Sequence, residues 1–259
     1  MKCDLSIIVP GIRTKFFPQI YESCSKLLEK YTWELIFVGP NTPNYFPNIV
    51  NVRWIRDFGS PTRCFNLGLS ISEGEFCTWT SDDCIHGVEK SLDKAIDLLK
   101  NNNINNTAIC LQYNEHMGHS NDPFPLEYWT AGYHDALRVK GVLPEWKVFS
   151  LPLMKTSLFQ SLGGLDCRYQ HVNMNLHSLA FYFQKNIGNI LISEDLIWRA
   201  DFVQRDPKQD PVLSSYYDID LPLFKSEWDV ENPQISLPML DNWKNAESVW
   251  SKRFTVNKA

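Results

Sequence analysis

Phe76-Cys77-Thr78-Trp79-Thr80-Ser81-Asp82-Asp83-Cys84-Ile85 is an apolar, β-prone run that ends on two adjacent carboxylates. Gly74 precedes it and Ser81, Asp82 and Asp83 follow its apolar part, so it reads as a buried strand carrying acidic side chains to its carboxyl end. In open α/β sheets that edge is where ligands bind. The stretch therefore bears on both the fold class and the place of function.

Working back from it, Leu5 to Pro10 is a continuous apolar run closed by proline, as in a parallel strand covered on both faces. From Phe17 the apolar positions Ile20, Cys24, Leu27, Leu28 and Tyr31 recur at helical spacing, with Pro18 in the first turn. Trp33 to Val38 forms a second buried strand, ended by Gly39-Pro40-Asn41-Thr42-Pro43. Val50 to Ile55 alternates and gives a third. Ser60-Pro61 is a cap followed by a first-turn proline, which predicts a helix over 61–72.

Working forward, Val88, Leu92, Ile96 and Leu99 mark another amphipathic helix, closed by the Asn-rich segment 101–106. Thr107 to Tyr113 and Val148 to Met154 read as strands, 115–135 as a loop, and 155–162 as a short helix before Gly163-Gly164-Leu165-Asp166. Leu176, Leu179, Ala180 and Phe183 have helical periodicity that Gly188 stops, ahead of a strand over Asn189 to Ser193. The proline-rich segment 201–240 shows no sustained period and reads mostly as loop, while Asn242 to Phe254 reads as a closing helix.

Alternating strands and helices over the first hundred residues predict an α/β fold, a doubly wound, mostly parallel sheet flanked by helices, with a less regular second half. We read 1–259 as a single domain of two lobes. Residues 1–105 form the nucleotide-binding half; 106–259 form the other half and the C-terminal helix.

Of the 259 residues, 44% are hydrophobic and 21% charged, a composition that favours an ordinary globular chain with a core of its own. No apolar run approaches the roughly 20 residues of a spanning helix, and the first residues lack a signal-peptide pattern, so a cytoplasmic location is expected. The formal net charge is −5 and basic residues do not cluster, which argues against nucleic-acid binding. Seven scattered cysteines with no Cys-x-x-Cys pair argue against a disulfide framework and a zinc knuckle and read as reduced core residues.

Two adjacent carboxylates at a strand end can hold a divalent cation through one and take a hydroxyl hydrogen bond on the other. Alone, such a pair more often caps a loop. Its neighbours add to it. Asn66-Leu67-Gly68, Glu73-Gly74-Glu75-Phe76, then Ser81-Asp82-Asp83 and Ile85 resemble, without gaps, the "Asn-x-Gly … Gly-Glu-Tyr … Asp-x-Asp-Asp-Ile" run of family 2 glycosyltransferases with the GT-A fold. Ser6 to Pro10 and Trp33 to Val38 resemble that family's first two strands, and Gly163-Gly164-Leu165-Asp166 its later Gly-Gly-Phe-Asp motif.

The resemblance implies a nucleotide-diphospho-sugar donor, a glycan or other hydroxyl acceptor, inverting transfer, and Mn²⁺ or Mg²⁺ bridging the donor phosphates. It places Asp83 on the metal-binding aspartate and Asp82 where a donor ribose contact belongs. Pro10, Arg63, Asn66 and Gly68 join Asp82 as donor-side candidates, although Arg63 also reads as a surface helix arginine and Asn66 and Gly68 as close packing of helix on sheet.

The chain departs from the pattern in three places. Ser81 stands where the first aspartate of Asp-x-Asp usually is. Gly39-Pro40-Asn41 replaces the acidic residues that usually bind the base, leaving the donor base open. Residues 170–179, where the family's catalytic carboxylate usually lies, hold no Asp or Glu. The candidates for deprotonating the acceptor are Asp166, His171 and His177, the histidines because an imidazole titrates near neutral pH. Each has a structural reading too, Asp166 as the cap of a turn and the histidines as ordinary helix residues.

In the loop 115–135, His116 and His119 have a His-x-x-His spacing that carries little weight without a helix, His134 follows, and Tyr128, Trp129 and Tyr133 suit sugar stacking or lid packing. Two other functions remain open. A degenerate relative would bind a nucleotide sugar or glycan without turnover. A nucleotidyltransferase would need a glycine-rich, basic loop after the first strand, where this chain has Pro10-Gly11-Ile12-Arg13-Thr14-Lys15 with one glycine.

Overall fold

The computed structural model describes residues 2–41, 49–115, 126–132, 142–200 and 216–228. His116, His119, Tyr133, His134 and the helix expected over Asn242 to Phe254 lie outside the described residues.

Among the described residues, eight strands form one sheet: β1 (Cys3–Pro10), β2 (Trp33–Gly39), β3 (Val52–Arg56), β4 (Gly74–Trp79), β5 (Ile85–His86), β6 (Thr107–Glu115), β7 (Leu151–Lys155) and β8 (Asn189–Ala200). Their spatial order is β3-β2-β1-β4-β7-β6-β8-β5. Pairing is parallel from β3 through β2 and β1 to β4, and again between β6 and β8. It is antiparallel where β7 joins β4 to β6 and where β5 meets β8. The order reverses direction between β1 and β4, the position where open α/β sheets bind ligands.

Helices cover the sheet: α1 (Phe17–Leu27), α2 (Pro61–Ile71), α3 (Ser91–Lys100), α4 (Thr156–Ser161), α5 (Val172–Asn186) and α6 (Leu221–Trp228). The buried positions of α1 are those its periodicity marks, Ile20, Cys24 and Leu27 among them, and they pack with Leu5, Ile7 and Val9 of β1. On the opposite face Phe65 and Leu69 of α2 pack with Ile8, Ile36 and Cys77. Strands covered on both sides account for the unbroken apolar runs of β1 and β2. Six of the seven cysteines are buried and all are free thiols.

Two expectations need correction. The last strand does not end at Ser193 but continues to Ala200. Its pairing with β6 is irregular between Cys110 and Gln112, where Gln112 Nε2 donates to the carbonyls of Ser193 and Glu194. That irregularity puts polar residues in mid-strand and hides the continuation through Leu196, Ile197 and Trp198. Within 201–240, Tyr216–Asp220 is a π-helical turn running directly into α6. Phe224 and Trp228 of α6 pack on Phe181 of α5, at centroid distances of 5.7 and 5.1 Å. This short helix is held by tertiary contacts more than by a repeat of its own.

Candidate active site at the β1–β4 edge

β1 ends at Pro10, opposite Val38 of β2, and the chain turns through Gly11, whose N–H donates to the Val38 carbonyl at 3.0 Å. A Cβ on Gly11 would lie 2.8 Å from the Asp82 Cβ, so glycine is needed for the two loops to approach. Gly39 is equally confined, since a Cβ there would meet the Gly11 carbonyl oxygen at 1.8 Å. Asn41 ties the same loop by donating to the Ile12 carbonyl at 2.8 Å.

Asp82 anchors this turn. Its Oδ2 accepts the backbone N–H groups of Ile12 and Arg13 at 2.8 and 2.7 Å. Its Oδ1 accepts Arg13 Nε at 2.8 Å and also Arg13 Nη2. Asp83 Oδ1 accepts the Ser81 hydroxyl, and its Oδ2 lies 3.2 Å from Arg13 Nη2. Both aspartates are buried, and Arg13 bridges them. Cys84, directly after the pair, has its thiol pushed up to about 12 by burial and then by the Asp83 charge.

The donor-side candidates sit around this edge in different roles. Arg63, in the first turn of α2, holds Asp57 with Nε at 2.9 Å from Oδ1 and Nη2 at 2.9 Å from Oδ2. Ser60 caps the same helix by accepting the Arg63 N–H at 3.3 Å. Gly68 faces β1, where a Cβ would lie 2.5 Å from Ile8 Cγ2, so it sets the approach of helix to sheet. Asn66 makes a two-way amide pairing with Leu165, donating to its carbonyl at 2.7 Å and accepting its N–H at 2.8 Å. This pairing docks the Gly163-Gly164-Leu165-Asp166 turn on α2. Gly164 has φ +71°, and a Cβ there would meet Asn66 Oδ1 at 2.4 Å.

Asp166 is buried and caps its own turn, accepting the Arg168 N–H at 2.9 Å and pairing with the Arg168 guanidinium. Asn175 grips its backbone from α5. His171 is the N-cap of α5, its Nδ1 accepting the Asn173 N–H at 3.2 Å. His177 lies half-buried further along that helix. Trp129 is buried against Tyr113 and Tyr128, which favours packing over an open stacking platform.

The carboxylates missing from 170–179 are brought there from a distance. Asp220 is fully buried and accepts the backbone N–H groups of Gln170 and His171 at 2.9 and 2.5 Å. Burial pushes its carboxyl up to about 6, against the opposing effect of those hydrogen bonds. Glu227 of α6 accepts the Tyr169 hydroxyl at 2.8 Å and the Ser178 hydroxyl at 3.4 Å, and pairs with Arg168. Burial raises its pKa too, with Tyr169 and Arg168 opposing. Sequence reading passes over both because they sit about 50 residues downstream in a proline-rich segment without periodicity. It also considers Arg13 only as part of a phosphate loop.

A hard divalent cation takes one or two carboxylates and completes its shell with water and phosphate oxygens. Asp83 meets that requirement as a carboxylate at the sheet edge, with its hydroxyl-bonded Oδ1 still able to share a cation. Asp82 does not, because its oxygens already carry four hydrogen bonds. Among the described residues, no group of three or more His, Cys, Asp or Glu side chains is placed to hold a metal. Asp83 is thus the carboxylate this edge could offer such an ion, and Arg13 lies 3.2 Å from its Oδ2.

The sheet order, the flanking helices and the acidic edge together define an α/β protein of GT-A-like architecture. Solved structures of S. aureus TarS share it. One TarS chain superimposes with a TM-score of 0.54 at 16% identity, over 84% of this chain and 40% of that one. TarS 1-349 in complex with UDP gives 0.56 at 14% identity, over 96% and 72%. TarS 1-349 in complex with UDP-GlcNAc gives 0.56 at 13%, over 95% and 73%. At such identities the likeness speaks for the fold. No family model and no curated protein matches the sequence. Among the described residues, no helix is long and apolar enough to cross a membrane.

Proposed function

We propose that this chain binds a nucleotide-diphospho-sugar at the β1–β4 edge and transfers the sugar to an acceptor hydroxyl with inversion. The observation that carries the reading is the placement of Asp82 and Asp83 beside the loop after β1, at the point where the strand order reverses. Its support from known proteins is a fold shared with TarS structures that hold UDP and UDP-GlcNAc.

In the transfer, the bond from the anomeric carbon to the diphosphate oxygen breaks and a bond to the acceptor oxygen forms. The hydroxyl proton passes to a base, and nucleoside diphosphate leaves. The loop 10–13, fixed by Asp82, shapes one wall of the donor site, with Pro10 at its root. Arg63 at the start of α2 is the donor-side arginine in this reading and would have to share its guanidinium between Asp57 and the diphosphate, with Asn66 and Gly68 setting the helix behind it. A Mn²⁺ or Mg²⁺ ion bound at Asp83 would supply charge against the leaving diphosphate. On the acceptor side the candidates for base are Asp166, His171 and His177.

The second reading is a relative that binds donor or glycan without turnover. It is favoured by one observation, the engagement of the Asp166 carboxylate by Arg168. Calorimetry with UDP-GlcNAc and other nucleotide sugars, run beside an assay of nucleoside diphosphate release with Mn²⁺, separates the two. The transferase reading expects release that falls at least about 100-fold in Asp83→Ala, the scale of losing one electrostatic group at a reacting centre. Donor binding with no release from any donor and acceptor leaves the binder. A full panel without binding removes both.

A further inference from the structure

We propose that Arg13 is a resident counter-cation that closes Asp83 to a divalent metal in the donor-free protein. It rests on reading the Asp82–Asp83 edge as the donor site.

The placement of Arg13 is over-determined by one carboxylate. Asp82 accepts the backbone N–H of Arg13 at 2.7 Å and its Nε at 2.8 Å, so main chain and side chain of the residue are fixed together. From that position Nη2 reaches Asp83 Oδ2 at 3.2 Å. The Arg13 side chain is 23% exposed, against 5% for Asp82 and 8% for Asp83, so the guanidinium lies on the outer side of the pair.

The two contacts are unequal. Asp82 binds Arg13 through several short hydrogen bonds, whereas Asp83 meets it through one longer ion pair. A metal at Asp83 would sit beside a full positive charge that Asp82 holds in place. No further His, Cys, Asp or Glu among the described residues joins the pair to compensate. A like charge this close shifts an ionic equilibrium by roughly 10- to 1,000-fold. A diphosphate attracts both the guanidinium and the metal, so its arrival would favour release of Asp83 by Arg13.

The test is titration of Mn²⁺ into the donor-free protein, following loss of the free-ion electron paramagnetic resonance signal, for wild type, Arg13→Gln and Arg13→Lys. Arg13→Gln should bind Mn²⁺ roughly tenfold or more tightly than wild type. Arg13→Lys keeps a positive charge at this loop but loses the fork that Asp82 holds, so its affinity should lie between those of wild type and Arg13→Gln. Equal affinities for wild type and Arg13→Gln overturn the proposal. So does a donor-free wild type that binds Mn²⁺ more tightly than about 0.1 mM, a result that needs no variant to fold. The readout uses no nucleotide. Failure of UDP-GlcNAc to bind therefore counts against the donor reading alone, and failure of the Mn²⁺ comparison against the role of Arg13 alone.

Discussion

The β1–β4 edge and the turn at 163–171 are built by different means. At the β1–β4 edge, the ends of two adjacent parallel strands bring Gly11 to Arg13 against Asp82, and the strands' own register sets the geometry. The turn at 163–171 adds long-range ties to its own local hydrogen bonds, such as those of Asp166 with Arg168. It is held by Asn66 from α2, by Asn175 from α5, and by Asp220 and Glu227 from the segment 216–228. Both regions set an arginine on the outer side of two buried carboxylates, Arg13 on Asp82 and Asp83 and Arg168 on Asp166 and Glu227, and the second adds the buried Asp220, held by backbone N–H groups. A site built on strand ends tolerates change elsewhere in the chain, and one clamped from a distance depends on every element that reaches it.

The largest effect is expected where one residue holds a whole turn. Asp82→Ala removes the carboxylate that holds Arg13 most closely and the acceptor for two backbone N–H groups, so unfolding in urea should show a loss of about 3 kcal/mol. The same variant should lose nucleotide-sugar affinity if the loop 10–13 forms the donor wall. A loss below about 0.5 kcal/mol would mean that the strand ends hold the turn without the carboxylate.

A smaller loss is expected from the distant clamp. Glu227→Ala leaves the buried Tyr169 hydroxyl without its acceptor and Arg168 with Asp166 alone, at about 2 kcal/mol. Limited proteolysis should then cut near 216–228 sooner than in wild type, while UDP-GlcNAc affinity stays within about threefold. Equal damage to donor affinity in Glu227→Ala and Asp82→Ala would make the two regions one energetic unit.

The smallest effect concerns pH. Because burial raises the Asp220 carboxyl to about 6, the folded chain holds this proton more tightly than the unfolded chain does. The stability that Asp220 contributes is then full below the ordinary carboxylate pKa of about 4 and is lost as pH rises through about 6. Asp220→Asn does not titrate, so the stability of wild type relative to this variant should fall across that window. A relative stability that rises with pH there would show the backbone N–H groups of 170 and 171 to outweigh burial.

Much of this architecture is legible in the chain. The strand ends at Pro10 and Trp79, the crossover helices and their buried faces follow from hydrophobic period, proline and capping, because each depends on residues within a turn or two. The acidic pair was likewise readable as the end of a strand pointing to a ligand edge. Its chemistry was not, because Arg13 lies 69 residues from Asp82 in sequence and no local pattern connects them. The long β8 and the helix α6 escaped for a related reason, since a β-irregularity and a proline-rich approach erase the period that would announce them.

What the sequence determined by itself is the alternating α/β order and the position of Asp82 and Asp83 in the turn just beyond a buried strand, since backbone sterics and apolar burial act over short spans. What only the tertiary structure decided is who partners each charge. Arg13 lies on both aspartates, Arg63 on Asp57, and Arg168 between Asp166 and Glu227. Ion pairs and buried hydrogen bonds depend on distance in space and on exclusion of water, and neither is written in the order of residues along the chain.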